Sequence, residues 1–519
     1  MSQLVGTLPE GWVEVALADV LDGIESGANF RCIERPPTGN ETGVVKISAV
    51  SWGRFDELES KTSPPHIEID SRTLIREGDF LISRANTIQL VGACVIVDSI
   101  SKRLALSDKV LRLRIIGALP KWILYCLRSP NGRAQIEALA TGNQESMRNI
   151  GQDRIRSIRV PLPPLTEQHR IVAAIEQQFT RLDAAIASLQ RARANLKRYR
   201  AAVLAAATSG RLVPGEAELR RTTGGMNETG LDLRRRILEA RAIGRSSAGR
   251  RTQSEPAAPA SSTVRELPEG WSAVTVEELT LPSRPSAYGV LQPGSDVADG
   301  VPFVRVGDID QGRVAVDSLK RIASKVAAQY PRTRLHGGEV LITLVGSIGR
   351  TAVVPGLLRG ANVARAVGVI PLTDQVLPAW VEIWFRNPDQ IREMTAKAHE
   401  VARKTLNLED VRSSVVALPP LAEQQRIVAE VDRRLSSVDE IEADVEANLK
   451  RAERLRQAIL TRSFEGKLVP QDPTDEPGTT LLDRIRADAT TVNGTVVQAR
   501  RTTSHATRAA SPVQEPLPL

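Results

Sequence analysis

The chain has 519 residues, too many for one hydrophobic core and suited to two to four domains. Its 69 basic and 61 acidic side chains give a formal charge of +8, which fits a polyanionic partner. Cys32, Cys94 and Cys126 make no disulfide framework, no apolar run nears the roughly 20 residues of a membrane helix, and the opening MSQLVGTLPE is not a signal peptide. Secreted and membrane classes are therefore excluded, and the sequence predicts a cytoplasmic protein. Aromatic residues are only 3% of the chain, yet residues 1–160 hold seven and residues 265–418 another seven. Large side chains dominate cores, so two compact domains are expected.

In chain order, Leu8-Pro9-Glu10-Gly11-Trp12 opens the first domain. Strands are predicted over 44–50, 80–83 and 93–97. Residues 110–115 alternate with period two, which predicts a half-buried strand with a basic outer face. A short helix follows over 120–129, begun by one proline and stopped by the next. After Leu162-Pro163-Pro164-Leu165 comes a long helix whose apolar stripe is Phe179, Leu182, Ile186, Leu189, Leu196 and Val203, crossed by Arg193 and Arg200. Gly210 ends it. Residues 215–264 hold no aromatic residue and predict a flexible linker, with one helical fragment over 233–242.

The same order then returns. Leu267-Pro268-Glu269-Gly270-Trp271 leads strands over 303–309, 340–343 and 351–354 and a helix over 378–387. Leu418-Pro419-Pro420-Leu421 leads a second long helix with the stripe Val438, Ile441, Val445, Ala452, Leu455 and Ile459, ended by Gly466. The tail after 470 again reads as flexible, with a helical fragment over 481–487. The units are therefore 1–160 (mixed domain), 161–214 (helix), 215–264 (linker), 265–418 (mixed domain), 419–470 (helix) and 471–519 (tail). The fold class expected is α+β: two similar mixed α/β domains and two long helices forming an antiparallel coiled coil with pseudo-two-fold symmetry. Antiparallel pairing follows from charge. Basic Arg191, Arg193, Lys197, Arg198 and Arg200 on the first helix can then lie beside acidic Asp439, Glu440, Glu442, Asp444 and Glu446 on the second.

The sequence predicts no catalytic signature. There is no Gly-x-Gly-x-x-Gly after a strand and no phosphate loop, and His66, His169, His336, His399 and His505 are too dispersed for a metal site. Asn387-Pro388-Asp389-Gln390 lacks the second proline and the aromatic of an amino-methyltransferase element and reads as a helix-ending turn. No catalytic residue, metal or cofactor is expected.

The duplicated order LPEGW, mixed domain, LPPLxEQxRIV, heptad helix, GxLVP resembles the specificity subunit of a Type I restriction–modification enzyme. That resemblance implies two target-recognition domains, each reading half of a split site in double-stranded DNA, with the helices as spacer. It implies as partners two methyltransferase (modification) subunits and restriction/translocase subunits, which carry the catalysis. A free-standing DNA-binding or scaffold protein and a divergent single-chain methyltransferase are the alternatives. Candidate DNA contacts lie in polar loops, where Arg suits guanine and Asn or Gln suits adenine: Lys46, Arg54, Arg84, Asn86 and Gln89 in the first domain, Arg305, Arg313, Ser347 and Arg350 in the second. Candidates for subunit docking and the spacer are Glu167, Gln168, Arg170, Leu182, Ile186 and Leu189, with Glu423, Gln424, Arg426, Val438, Val445 and Leu455.

Overall fold

The computed structural model describes residues 8–144, 147–224, 228–247, 259, 266–400 and 404–488. It divides into two units, one made of the chain up to Ser188 together with the part from Asn448 onward, the other of Leu189–Ala447. Each unit is α+β and holds one mixed domain with one half of each long helix.

In the first unit a four-stranded antiparallel sheet runs in the order Leu21–Ser26, Val110–Ile115, Phe80–Ser83, Cys94–Ile96. A three-stranded sheet has Thr42–Val45 at its centre, antiparallel to Ser60–Thr62 and parallel to Arg103–Ala105. Val13–Ala16 pairs antiparallel with Arg159–Leu162 and brings the two ends of the domain together. The second unit repeats the plan: Ala287–Tyr288, Val367–Ile370, Val340–Thr343 and Thr351–Val353 form the larger sheet. Val301–Val304 sits between Lys320–Ile322 and Asn362–Val363, and Ser272–Thr275 pairs with Val415–Leu418.

Two strand expectations are corrected. The segment 44–50 is extended only to Val45 and then forms one helical turn, Ser48–Ser51; the segment 303–309 likewise leaves the sheet at Val304. Ala49 and Val50 are both buried, and two consecutive buried side chains suit a turn better than a one-sided strand. The expected basic outer face of Val110–Ile115 is only half present. Arg114 is exposed, but Arg112 is buried between Glu25 (2.6 Å) and Asp79 (2.8 Å), so its charge is paired inside the domain.

Beside each larger sheet lie two short helices, Pro120–Arg128 with Pro130–Leu139 and Pro378–Arg386 with Pro388–Lys397. Proline opens each one, where its missing N–H costs nothing. Ser129 Oγ accepts from the amide of Gly132 (3.1 Å), and Asn387 Oδ1 accepts from that of Asp389 (2.9 Å). The Asn387–Gln390 element is thus a helix cap.

The long helices are Leu165–Thr208 and Leu421–Phe464, 44 residues each, or about 66 Å at the α-helical rise. Inside both units their halves run antiparallel. In the second, Arg193 meets Glu446 (3.8 Å), and Arg200 meets Asp439 (2.6 Å) and Glu442 (2.9 Å). In the first, Arg456 pairs with Asp183 and lies 4.6 Å from the Phe179 ring centroid. Between residues 438 and 459 the buried positions of the second helix fall seven apart, at Val438, Val445, Ala452 and Ile459. Leu455 and Ile441, expected in that stripe, are about half exposed; a strict heptad seam is narrower than the three-four spacing suggested.

The region expected as a flexible linker, 215–264, is helical over Glu216–Thr223 and Gly230–Ser247. Leu233 and Ile237 are buried in the core of the second unit, which gives the latter helix the apolar contact it lacks by composition. Residues 248–258 and 260–265 lie outside the described residues. Likewise part of the tail, 478–488, is a helix that buries Leu481, Leu482 and Ile485 in the first unit, while 489–519 lie outside them. Among the described residues no helix is long and apolar enough to cross a membrane.

Candidate functional site

Two kinds of site follow from the repeat. The first is a junction at the start of each long helix. Trp12 donates from Nε1 to the Glu167 carboxylate (2.9 Å), and Trp271 donates to Glu423 (2.8 Å). Each tryptophan packs edge-on against a second one, Trp122 at 5.6 Å and Trp380 at 5.4 Å. Those rings in turn donate to the carbonyls of Pro161 and Ala417. Gln168 accepts from Leu119 N and donates to Pro163 O; Gln424 repeats this with Leu377 and Pro419.

The segment after the other helix completes each junction. Arg170 pairs with Asp475 (2.6 Å), and Arg426 pairs with Glu216 (2.5 Å). The structure therefore places Glu167, Gln168, Arg170, Glu423, Gln424 and Arg426 in contacts inside the chain, and the four Glu and Gln side chains are fully buried. Burial raises the pKa of both Glu167 and Glu423. Leu182, Val438 and Val445 are buried helix positions, while Ile186 and Leu189 are half-buried.

The second site is a polar surface over the larger sheet, and it joins most of the candidate DNA contacts. In the first unit Asn86 donates from Nδ2 to Ser51 Oγ (3.1 Å), so the loop after Phe80–Ser83 supports the turn Trp52-Gly53-Arg54. Arg84 and Gln89 stand exposed on that loop. Arg128 holds the turn from below, donating to Gly53 O at 2.8 Å. The ribbon Thr141–Gln144 with Met147–Asn149 adds a third edge, because Arg148 is the strand partner of Asn86. Lys46 stands apart from this group and lines a cavity of about 390 Å³ with Lys61, Lys109 and Phe30.

In the second unit the same elements meet. Arg350, on the loop after Val340–Thr343, reaches Asp310 (3.7 Å) beside the turn Gln311-Gly312-Arg313. Ser347 is exposed on that loop. Lys404 accepts through its carbonyl from Gly346 N (3.4 Å), so a ribbon edge lies here too. Arg305 is bound by Asp308 (2.8 Å), and Arg313 makes an exposed pair with Asp439 (3.4 Å).

Sequence reasoning missed Trp52, Gln311, Arg148 and Lys404. The alignment of Trp52-Gly53-Arg54 with Gln311-Gly312-Arg313 was a usable signal for the first two. The pairing of the ribbons is long-range and left none. Among the described residues no group of His, Cys, Asp and Glu side chains is arranged to hold a metal ion.

A model of the Type I restriction modification DNA specificity domain matches residues 9–196. The chain is 28% identical over 499 residues to the EcoBI Type I restriction enzyme specificity subunit of Escherichia coli, covering 94% of both chains. To the EcoKI specificity subunit of E. coli K12 it is 24% identical, covering 94% of this chain and 98% of the relative. Its fold is similar to a chain from a solved structure on assembly and conformational transition of a type I restriction–modification system. The TM-score is 0.56 and the identity 21%, over 89% of this chain and 100% of the other.

Proposed function

We propose, from its similarity to Type I restriction–modification specificity subunits over 94% of its length and the match of residues 9–196 to the specificity domain, that the chain is the DNA sequence-recognition subunit of such a system. The mixed domains at 1–160 and 265–418 each read one half of a bipartite site in duplex DNA, and the paired helices set the distance between the halves. The subunit is not itself catalytic. Two methyltransferase subunits and the restriction/translocase subunits dock on the frame that the tryptophan–glutamate junctions hold, and the complex works in the cytoplasm.

The observation that carries this reading is the doubled surface: two units with the same sheet, turn, loop and ribbon present different polar side chains at matching places. Duplex DNA has dyads perpendicular to its axis, so modules reading its two strands are best joined by antiparallel connectors. The long helices are antiparallel in both units. The arginines and amides at the turns and loops are the side-chain types that read base edges in the major groove.

The test is a domain exchange. Residues 265–418 are replaced by the equivalent domain of a relative, and the DNA methylated by the hybrid with its methyltransferase partners is sequenced. One half of the site should change while the other half and the spacing stay. A change in both halves, or a full bipartite site after deletion of 265–418, would refute the reading.

A further inference from the structure

We propose that the turns Trp52-Gly53-Arg54 and Gln311-Gly312-Arg313 are the base-reading tips of the two units, and that the first residue of each fixes one base pair of its half-site. This rests on the functional reading above and deepens it. The two turns are equivalent by construction. A backbone hydrogen bond closes each at the same distance from the tip, Asp56 N to Ala49 O (3.0 Å) and Ala315 N to Asp308 O (2.8 Å). The central glycine is left-handed in both, with φ +80° at Gly53 and +84° at Gly312. The arginine that ends the neighbouring helix lies under both. Arg128 donates to Gly53 O, and a Cβ at position 312 would stand 2.6 Å from Arg386 Nη1. The residue before each tip is braced by the loop beside it, Ser51 by Asn86 and Asp310 by Arg350.

On this common support the tip residue differs, and in both cases it is placed at a cost. The Trp52 indole is 74% exposed, a large apolar surface left in water. Gln311, at φ +47°, is the one non-glycine with positive φ among the described residues. Glycine would hold that backbone without strain, so retention of a side chain there points to use of the side chain. A carboxamide can bond adenine N6 and N7 together in the major groove, whereas an indole offers an apolar face to a thymine methyl or a base step. The arginine shared by both turns, Arg54 or Arg313, suits a phosphate or a guanine in either half. An aromatic tip and an amide tip on one frame would thus give two different half-sites.

The experiment uses the full chain co-expressed with its methyltransferase subunits and reads the methylated motif by sequencing. The unaltered chain should give a bipartite motif; if it gives none, the functional reading fails, whatever the turns do. Trp52→Ala should relax one position of one half-site by about 5- to 150-fold, the discrimination one base contact supplies, and leave the other half intact. Gln311→Ala and Gln311→Gly should each relax one position of the opposite half-site. Gln311→Gly should do so with a thermal midpoint equal to or above that of the unaltered chain, which separates lost reading from lost folding. A bipartite motif unchanged by all three variants would overturn the proposal. So would relaxation of both halves together. Loss of methylation in step with loss of co-purifying methyltransferase would assign the tips to a protein contact and would equally overturn it.

Discussion

Replacing Glu382 by glutamine should remove a pH dependence from the second unit and stabilise it at alkaline pH. Glu382 lies on the helix Pro378–Arg386, is 5% exposed, and stands where the first repeat has Leu124. Burial pushes its pKa from the ordinary 4.5 up to about 7, against the opposing pull of Arg386 (3.4 Å) and Thr351 (3.2 Å). Between pH 4.5 and 7 the folded state therefore holds more protons than the unfolded state, so stability falls as pH rises through this window and is level above it. Integrated from pH 5 to pH 8, the loss is about 2.5 kcal/mol. Glutamine keeps an acceptor for Arg386 and Thr351 and carries no titrating proton. The assay is urea denaturation at pH 5 and pH 8, with unfolding read by hydrogen-exchange pulses at one fixed pH in peptides from Val340–Thr343 and Pro378–Arg386. The unaltered chain should lose about 2.5 kcal/mol relative to the variant over that range. Parallel curves for the two proteins would refute the argument, and so would a variant less stable at pH 8.

At the junction, Glu423→Ala leaves the buried Trp271 N–H without its acceptor and should cost about 1–3 kcal/mol, while Glu423→Gln should cost under about 1 kcal/mol; thermal denaturation separates them. Leu189→Pro removes a backbone hydrogen bond within Leu165–Thr208 and should cost about 3 kcal/mol or more. In the assembled methyltransferase it should loosen the spacing between half-sites or prevent assembly, and an unaltered bipartite motif in the sequenced methylome would show that the helices do not set the spacing.

Much of this architecture was legible because it is written twice. The repeated LPEGW and LPPLxEQxRIV elements located both domains and both helices, and complementary charge on 191–200 and 439–446 gave their antiparallel sense, now seen as Arg200 between Asp439 and Glu442. What could not be read were features decided by distant partners. Arg112 alternates like a solvent-facing residue, yet Glu25 from the neighbouring strand and Asp79 from the turn before Phe80–Ser83 enclose it. Gly230–Ser247 has the polar composition of a linker, but Leu233 and Ile237 suffice to seat it on a core that local sequence does not reveal. Glu167 and Glu423 look like solvent-facing first-turn carboxylates, because nothing local announces the Trp12 and Trp271 side chains that bury them. Among the candidate contacts, Arg54, Asn86, Arg313 and Arg350 proved to be neighbours within their units only once the loop-to-turn contacts were seen.

The two repeats also separate what must be constant from what is free to vary. Side chains that agree between them do so in matching structural duties: the tryptophan pairs, the glutamines bridging a helix to a domain, the turn glycines, and the arginine beneath each turn. Each duty is met by a buried hydrogen bond or a restricted backbone angle, and loss of either is expensive and local. The differences fall elsewhere: tryptophan against glutamine at the tip, nine residues against six in the adjoining loop (84–92 and 344–349), and leucine against glutamate beneath it. The tip residues and the exposed loop side chains Arg84, Gln89 and Ser347 lie at the surface, where a substitution leaves the core's packing untouched. Glu382 brings a difference into the interior directly under the turn, where a Cβ on Gly312 would lie 2.9 Å from its carboxylate. The second turn is thereby backed by the pair Arg386–Glu382 (3.4 Å) where Leu124 stands in the first, so a polar contact carries there what apolar packing carries in the other repeat.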